Sequence, residues 1–511
     1  MKFSVVALAA AAIACTSAAP VEKRAASDNV VVGYWVPWGG VPVSAVDMTK
    51  YTHINYGFGV TAKRNAKVTD IFFDRYYDGN NIKALVQRGD EYNVPILMSI
   101  GGWTGSQTLS TIAADAGLRK TFINNALVFV RQNTLPDYAD TPDGWGMHGI
   151  DLDWEYPGRP GAICNTISPQ DSANYLVLLK ELRDQLDLEF PSVHKLITAA
   201  VRVEPFDGAD GKPMSNVAAF AEFFDFISIM AYDIMGSWSA TTGPNAPFHN
   251  GPSATADPFS FTQSIDSGLA QASPPTSWSW TTVDMNAQNP ISMYVNKTNE
   301  TPKGGPSDTN DINFFCNEGS VYSGMWKWKE LRGPVLTTPT TAAAGWTRYW
   351  DDVTQTPWLF RASDKTFISY DDIQSMTIKV AHAKAKGVKG VMLWDISYDY
   401  NGELINVLQN IHCTSNCPAP PTSTTVAPTT TVPPTSTTVG PTASVTTTTP
   451  PVTTTPSGPC NGVAAWSAAT TYATSGSKVT HNDHLYTNKW WTQGETPSDS
   501  TSGVWKDEGA C

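Results

Sequence analysis

The run Gly149-Ile150-Asp151-Leu152-Asp153-Trp154-Glu155-Tyr156-Pro157 puts a carboxylate at every second position. A strand turns successive side chains to opposite faces, so Asp151, Asp153 and Glu155 share one face while Ile150, Leu152 and Trp154 share the other. Like charges crowded together and partly withdrawn from water push at least one pKa upward. A carboxyl that keeps its proton near neutral pH is what general acid catalysis requires. With Met147 and the alternating apolar residues around it, the segment reads as a strand inside a sheet and not as a solvated edge. Glu155, Asp153 and Asp151 are therefore the catalytic candidates.

Such a strand needs a scaffold. Apolar strand-like runs at 30–35, 52–59, 94–101, 148–155, 196–203, 224–233 and 390–395 alternate with helical patterns, the signature of a parallel α/β fold. Ser168-Pro169-Gln170-Asp171 has the form of an N-cap, a proline at the first helical position and an acid in the first turn. The helix it opens runs through Leu186 and keeps Tyr175, Leu179, Leu182 and Leu186 on one face. Six or more such units favour a (β/α)8 barrel, with chemistry at the C-terminal ends of the strands. A seventh strand must lie between 233 and 390. The one strand-like candidate is 277–283, Ser-Trp-Ser-Trp-Thr-Thr-Val, following a helix-like segment at 259–272. It alternates where a strand buried on both faces would run apolar, so the sequence looks locally shortened here and the barrel is expected to close poorly.

The bulk properties narrow the partners. A chain of 511 residues exceeds one ordinary domain. Its net charge of -13 and pI near 5.0 argue against nucleic acid and anionic membranes. Residues 1–24 read as a signal peptide, with a short basic start, an apolar run to Cys15, small residues Ser17-Ala18-Ala19 and a dibasic site at Lys23-Arg24. The mature chain would begin at Ala25, outside the cell and not in a membrane. Six cysteines then remain, and export makes disulfides the default. Cys460 and Cys511 bracket a short terminal unit and are the first pair expected. Cys164 with Cys316, and Cys413 with Cys417, follow by elimination. Residues 418–459 hold 17 threonines and 11 prolines with no charged or aromatic side chain, an extended and O-glycosylated stalk. The stalk separates a block at 25–412 from a terminal module at 460–511. Two N-glycosylation sequons, at Asn296 and Asn299, mark surface loop.

With these elements in hand, the acid strand resembles that of the family-eighteen glycoside hydrolases, the chitinases, whose pattern is Asp-x-x-Asp-x-Asp-x-Glu. Here the last three acids match as Asp151, Asp153 and Glu155, and the first position is His148. His148 lies an odd number of residues from the trio and should face away from it. Ser99-Ile100-Gly101-Gly102 resembles the family's third-strand motif, Met230-Ala231-Tyr232-Asp233 its sixth and Val391-Met392-Leu393-Trp394-Asp395 its last. No Tyr-Gly-Arg-like seventh-strand motif is found, while 322–331 and 364–372 resemble the family's inserted α+β subdomain before the last strand.

The resemblance implies a retaining, substrate-assisted hydrolysis of β-1,4-linked N-acetylglucosamine, an exception to the two-carboxylate scheme. Glu155 would protonate the leaving oxygen, and the substrate's own acetamido carbonyl would attack the anomeric carbon. Asp153 would hold the acetamido N–H and stabilise the oxazolinium charge, with Asp151 sharing a proton beneath it. Tyr232 and Asp233 would orient the reacting sugar and Trp394 would floor it. Tyr34, Trp103, Tyr156 and Met230 would complete the substrate contacts. The implied partners are chitin and chitooligosaccharides, taken by a monomer with no metal or cofactor. Two other readings stay open, a catalytically weak or dead chitin-binding lectin and an endo-β-N-acetylglucosaminidase.

The terminal module carries Trp466, Tyr472, Tyr486, Trp490, Trp491 and Trp505. A unit below ~60 residues cannot bury them all and needs a staple. It resembles the small β-rich chitin- and cellulose-binding modules, with Trp490, Trp491, Tyr486 and Trp505 as binding candidates.

Overall fold

The structure is a computed structural model. It describes residues 29–73, 75–132, 144–204, 206–252, 259–266, 277–281, 293–298, 300–309, 316, 322–414, 460, 463–467, 471–472, 477–488, 492–493, 496–497 and 505–510. The signal segment, the stalk, Val283, Asn299, Trp490 and Trp491 lie outside the described residues. The chain divides into two compact units, with the boundary between Thr422 and Ser423.

In the larger unit the first six strands are β1 (Val30–Trp35), β2 (His53–Gly59), β3 (Ile96–Gly101), β4 (Gly149–Asp153), β5 (Leu196–Arg202) and β6 (Phe226–Met230). Next come β7 (Ser277–Thr281), β8 (Met325–Trp326), β9 (Leu336–Thr338), β10 (Thr341–Ala342), β11 (Thr347–Asp351), β12 (Thr356–Arg361), β13 (Thr366–Ser369) and β14 (Gly390–Leu393). Seven of them form one parallel sheet in the order β14-β1-β2-β3-β4-β5-β6, so the last strand returns to pair with the first. The sheet is a nearly closed barrel. Its strands are buried along almost their whole length, as parallel strands covered on both faces must be.

The one strand-like candidate for a seventh barrel strand lies elsewhere. Ser277–Thr281 pairs antiparallel with β13, Trp278 opposite Ser369 and Trp280 opposite Phe367, in a separate sheet ordered β11-β12-β13-β7-β8. Its alternating pattern explains the choice, since an antiparallel sheet can present two different faces where a barrel strand cannot. This second sheet is the inserted subdomain before the last strand. Between β6 and β14 no strand pairing exists among the described residues. The seam is spanned by side chains: Lys389 Nζ donates to the Asp225 carbonyl at 3.2 Å, and Phe226 packs with Val30, Val32 and Met392.

Asp171–Glu189 is the helix read from the sequence, and Tyr175, Leu179, Leu182 and Leu186 are buried on it. It begins two residues later than the Ser168 cap implies, with Gln170 in the cap position. Ser168 instead opens a preceding turn, its Oγ accepting from Gln170 N at 3.2 Å, while Asp171 is buried and accepts from Ser168 N and Ser110 Oγ. Cys164 and Cys316 form a disulfide with Cα atoms 5.3 Å apart. Cys413 and Cys460 are disulfide-bonded to partners outside the described residues.

The smaller unit has a three-stranded antiparallel sheet, Lys478–His481, His484–Asn488 and Trp505–Ala510, beside a two-stranded one of Thr471–Tyr472 and Thr492–Gln493. Tyr486 and Trp505 are buried with Val479, and Trp466 and Tyr472 pack against them. That corrects their assignment as binding residues. A sheet this small has few apolar residues other than its aromatics, so these rings become the core. No helix among the described residues of either unit is long and apolar enough to cross a membrane.

Candidate active site

A cleft of about 1110 Å³ opens at the C-terminal ends of the barrel strands. The acid strand stands at its floor. Asp151 is fully buried, and its two oxygens accept from three hydroxyls: Thr198 Oγ1 at 2.6 Å, Ser99 Oγ at 2.7 Å and Tyr34 OH at 2.9 Å. Burial raises its pKa, and those hydroxyls oppose the rise. Asp153, one step up the same face, lines the cleft with Oδ1 buried and unbonded. Burial pushes its carboxyl well above the usual range, and the charges of Glu155 and Asp151 add to this. Of the two aspartates, the one with three hydroxyl donors is the better seat for the charge, and Asp153 the better seat for the proton.

Glu155 lines the cleft one further step out. Burial pushes its carboxyl up to about 7, against a hydrogen bond from Tyr156 and with the charge of Asp233 adding. Its main chain is clamped from the neighbouring strand. Ser106 Oγ accepts from Glu155 N at 3.1 Å and donates to the Asp153 carbonyl, which also accepts from Gly102 N at 2.8 Å. Asn165 Nδ2 donates to the Glu155 carbonyl at 2.8 Å and to that of Trp103 at 3.1 Å. Asn165 adjoins the Cys164 disulfide, so the clamp is tied covalently to the inserted region. The Ser99-Ile100-Gly101-Gly102 segment thus serves the acid twice, through the Ser99 hydroxyl and through a turn that needs glycine. Gly101 has φ +122°, and a Cβ there would lie 2.1 Å from the Asp153 carbonyl oxygen.

Tyr34, Trp103, Tyr156, Met230, Tyr232, Asp233 and Trp394 all line this cleft. Tyr232 is buried, whereas Asp233 is exposed at φ 54°, with Oδ1 accepting from Asn245 Nδ2 at 3.1 Å. Trp394 stacks on Phe58 with centroids 5.4 Å apart and meets Tyr34 edge-on at 5.3 Å. His148 faces away, as its parity implies: its Nδ1 accepts from Ile96 N, and its Nε2 lies 3.0 Å from Asp90.

Sequence reasoning missed Trp38, Phe58, Phe72 and Trp238. All four line the cleft, and Trp38, Trp103 and Trp238 are 61%, 49% and 57% exposed. Large aromatics left in water along a groove suit the flat apolar faces of sugar rings. The available signal was tryptophan among small and polar residues, as in Gly236-Ser237-Trp238-Ser239.

A buried acid that holds its proton near neutral pH, at the strand ends of a parallel barrel and under an aromatic groove, defines a glycoside hydrolase. Residues 30–399 match the glycosyl hydrolases family 18, and residues 465–506 match carbohydrate-binding module family 5/12. The chain belongs to family 18 and carries that module at its C-terminal end.

A chitinase-like effector of Moniliophthora roreri is 29% identical over 406 residues, covering 75% of this chain and 92% of that protein. Chitinase 1 of Aphanocladium album is 27% identical over 428 residues, covering 78% and 88%. Among solved structures, a chitinase from Rhizomucor miehei superposes with a TM-score of 0.65 at 28% identity, covering 75% of this chain and 99% of that one.

Proposed function

We propose that the protein is a secreted chitinase that hydrolyses β-1,4 N-acetylglucosamine linkages with retention, using the substrate's acetamido group as nucleophile. The observation that carries the reading is the graded acid stack: Asp151 held by three hydroxyls, Asp153 buried above it, and Glu155 near pKa 7 at the cleft. Glu155 gives its proton to the glycosidic oxygen as the C–O bond breaks. The acetamido carbonyl oxygen closes on the anomeric carbon, and Asp153 accepts a hydrogen bond from the acetamido N–H. Water then attacks from the face the leaving group vacated and returns its proton to Glu155, so configuration is retained. Asp153 suits this role better than that of nucleophile, because a carboxyl held well above its usual pKa is a scarce anion. Tyr232 and Asp233 orient the reacting sugar, and Trp394 supplies its floor. The terminal module raises local concentration on insoluble chitin through Trp490 and Trp491.

A second reading, a binding protein without turnover, is favoured by the description of two relatives as chitinase-like effectors. Hydrolysis of colloidal chitin and of a chromogenic chitotriose, with the first-formed anomer followed by NMR, separates the readings. The chitinase releases the β-anomer, and its rate falls above about pH 7 as Glu155 loses its proton. Binding without turnover would favour the second reading, and release of the α-anomer would overturn the acetamido mechanism.

A further inference from the structure

Arg202 ends β5 inside the cleft and has no part in the chemistry above. On β5 the residues facing the barrel interior are Thr198, Ala200 and Arg202: the first donates to Asp151, and the other two line the cleft. The ladder pairs Asp151 with Thr198 and Leu152 with Ala199. Continued outward, that register sets Ala200 beside Asp153 and Arg202 beside Glu155. Arg202 therefore belongs to the strand beside the acid strand and follows Thr198 and Ala200 on its interior face.

Its charge is weakly spent. The side chain is 13% exposed, and Nη1 reaches the Glu204 carbonyl at 3.2 Å and its carboxylate at a long 3.4 Å. Nε and Nη2 make no hydrogen bond among the described residues. Phe259 covers one face of the plane at 5.0 Å. The neighbouring cation, Arg159, is committed to Asp207 at 2.5 Å. Among the described residues lining the cleft, which include Asp78, Asp153, Glu155 and Asp233, Arg202 is the one cation.

The side of the scissile bond follows from the strand order. Trp38, Phe58 and Trp394 form a continuous aromatic platform over β1, β2 and β14, where the sugar that keeps the anomeric carbon is floored. Arg202 ends β5, which the sheet order puts between β4 and β6 and away from that platform.

We propose that Arg202 selects the sugar on the leaving-group side, donating through its unspent N–H groups to an oxygen of an N-acetylated residue and repelling a de-N-acetylated, cationic one. The proposal rests on the chitinase reading. Two unit charges of the same sign several ångströms apart, partly shielded, differ from a neutral pair by enough to change partition about tenfold.

The test uses the full chain, as wild type, Arg202→Met and Arg202→Lys, on partially de-N-acetylated chitosan oligosaccharides. Mass spectrometry reads the sugars at the newly made ends. The leaving sugar becomes the new non-reducing end, so wild type should yield N-acetylglucosamine there. Arg202→Met should raise the share of glucosamine at that end about tenfold, while Arg202→Lys keeps the wild-type bias because it keeps the charge. New reducing ends should remain N-acetylated in all three. A wild-type bias in Arg202→Met, or an equal loss of bias in both variants, overturns the proposal. If the methionine variant fails to fold, Arg202→Gln carries the same expectation. Wild type that cleaves no acetylated oligosaccharide overturns the chitinase reading itself, a distinct result.

Discussion

Along β3, β4 and β5 each strand is locked to its neighbour by a parallel ladder, Leu97 opposite Gly149 and Asp151 opposite Thr198, whereas β6 and β14 meet without one. On the first wall backbone hydrogen bonds fix the strands, and side chains are free to grip the acids. At the seam side chains must do the joining. Lys379 and Asp371, both nearly inaccessible, form a buried ion pair, and Lys379 Nζ also donates to the Ala246 carbonyl at 2.7 Å. Asn245 N reaches Ser369 Oγ at 2.8 Å, and Ala246 packs between Tyr232 and Met392. The proposed chemistry sits where the fold is most constrained, and the seam carries Tyr232 and Asp233, which line the cleft, on a support made of side chains.

Breaking the seam should give the largest change in stability. Lys379→Met leaves Asp371 charged and buried without its partner, and such losses cost about 3–5 kcal/mol. Urea unfolding of the full chain followed by tryptophan fluorescence should show it, and adding Asp371→Leu should restore much of the loss. A single variant as stable as wild type would mean that the pair does not hold the seam.

Breaking the acid wall should leave stability nearly alone and remove turnover. Asp153→Asn keeps the shape but takes away the carboxylate, and kcat on chitotriose should fall about a hundredfold or more. Chitin binding should stay within a few fold. A normal rate would remove Asp153 from the mechanism. The smallest change belongs to Lys389→Met, which deletes one part-exposed contact across the seam. A loss of about 1 kcal/mol or less is expected in the same unfolding assay. A loss as large as that of Lys379→Met would place the seam's main support at its outer edge.

The two regions were unequally legible in the sequence. Three acids at a spacing of two declare both a strand and a site, because alternation fixes their common face before any fold is known. Met230-Ala231-Tyr232-Asp233 and the run ending in Trp394 are contiguous, and each proved to be a strand end at the cleft. Arg202 went unnoticed because its meaning depends on register with β4, which no single strand reveals. Trp38 sits in a three-residue 3-10 turn and Trp238 in a loop, where no periodicity marks them. The strand count leaves Ser277–Thr281 as the one candidate for a seventh barrel strand, and its alternation already sets it apart from a strand buried on both faces; only the pairing with β13 shows which sheet it joins. In the terminal module the count of aromatics showed that some must be exposed but not which. Tyr486 turned inward because strand pairing puts it opposite Val479, and Trp505 because its ring meets that of Tyr472 edge-on, both long-range facts.

The central claim is that Glu155 supplies the proton. Burial holds its carboxyl near 7 in the folded chain against a model-peptide value of 4.5. The unfolded chain therefore releases this proton first as pH rises, and wild type should lose stability between those two values. Glu155→Gln removes both the titration and the transferable proton while keeping the side chain's size. Measured on chromogenic chitotriose, its kcat should fall by roughly 10²–10⁴, with chitin retention unchanged and the loss of stability between those pH values smaller than in wild type by Glu155's share. Turnover within threefold of wild type would contradict the account.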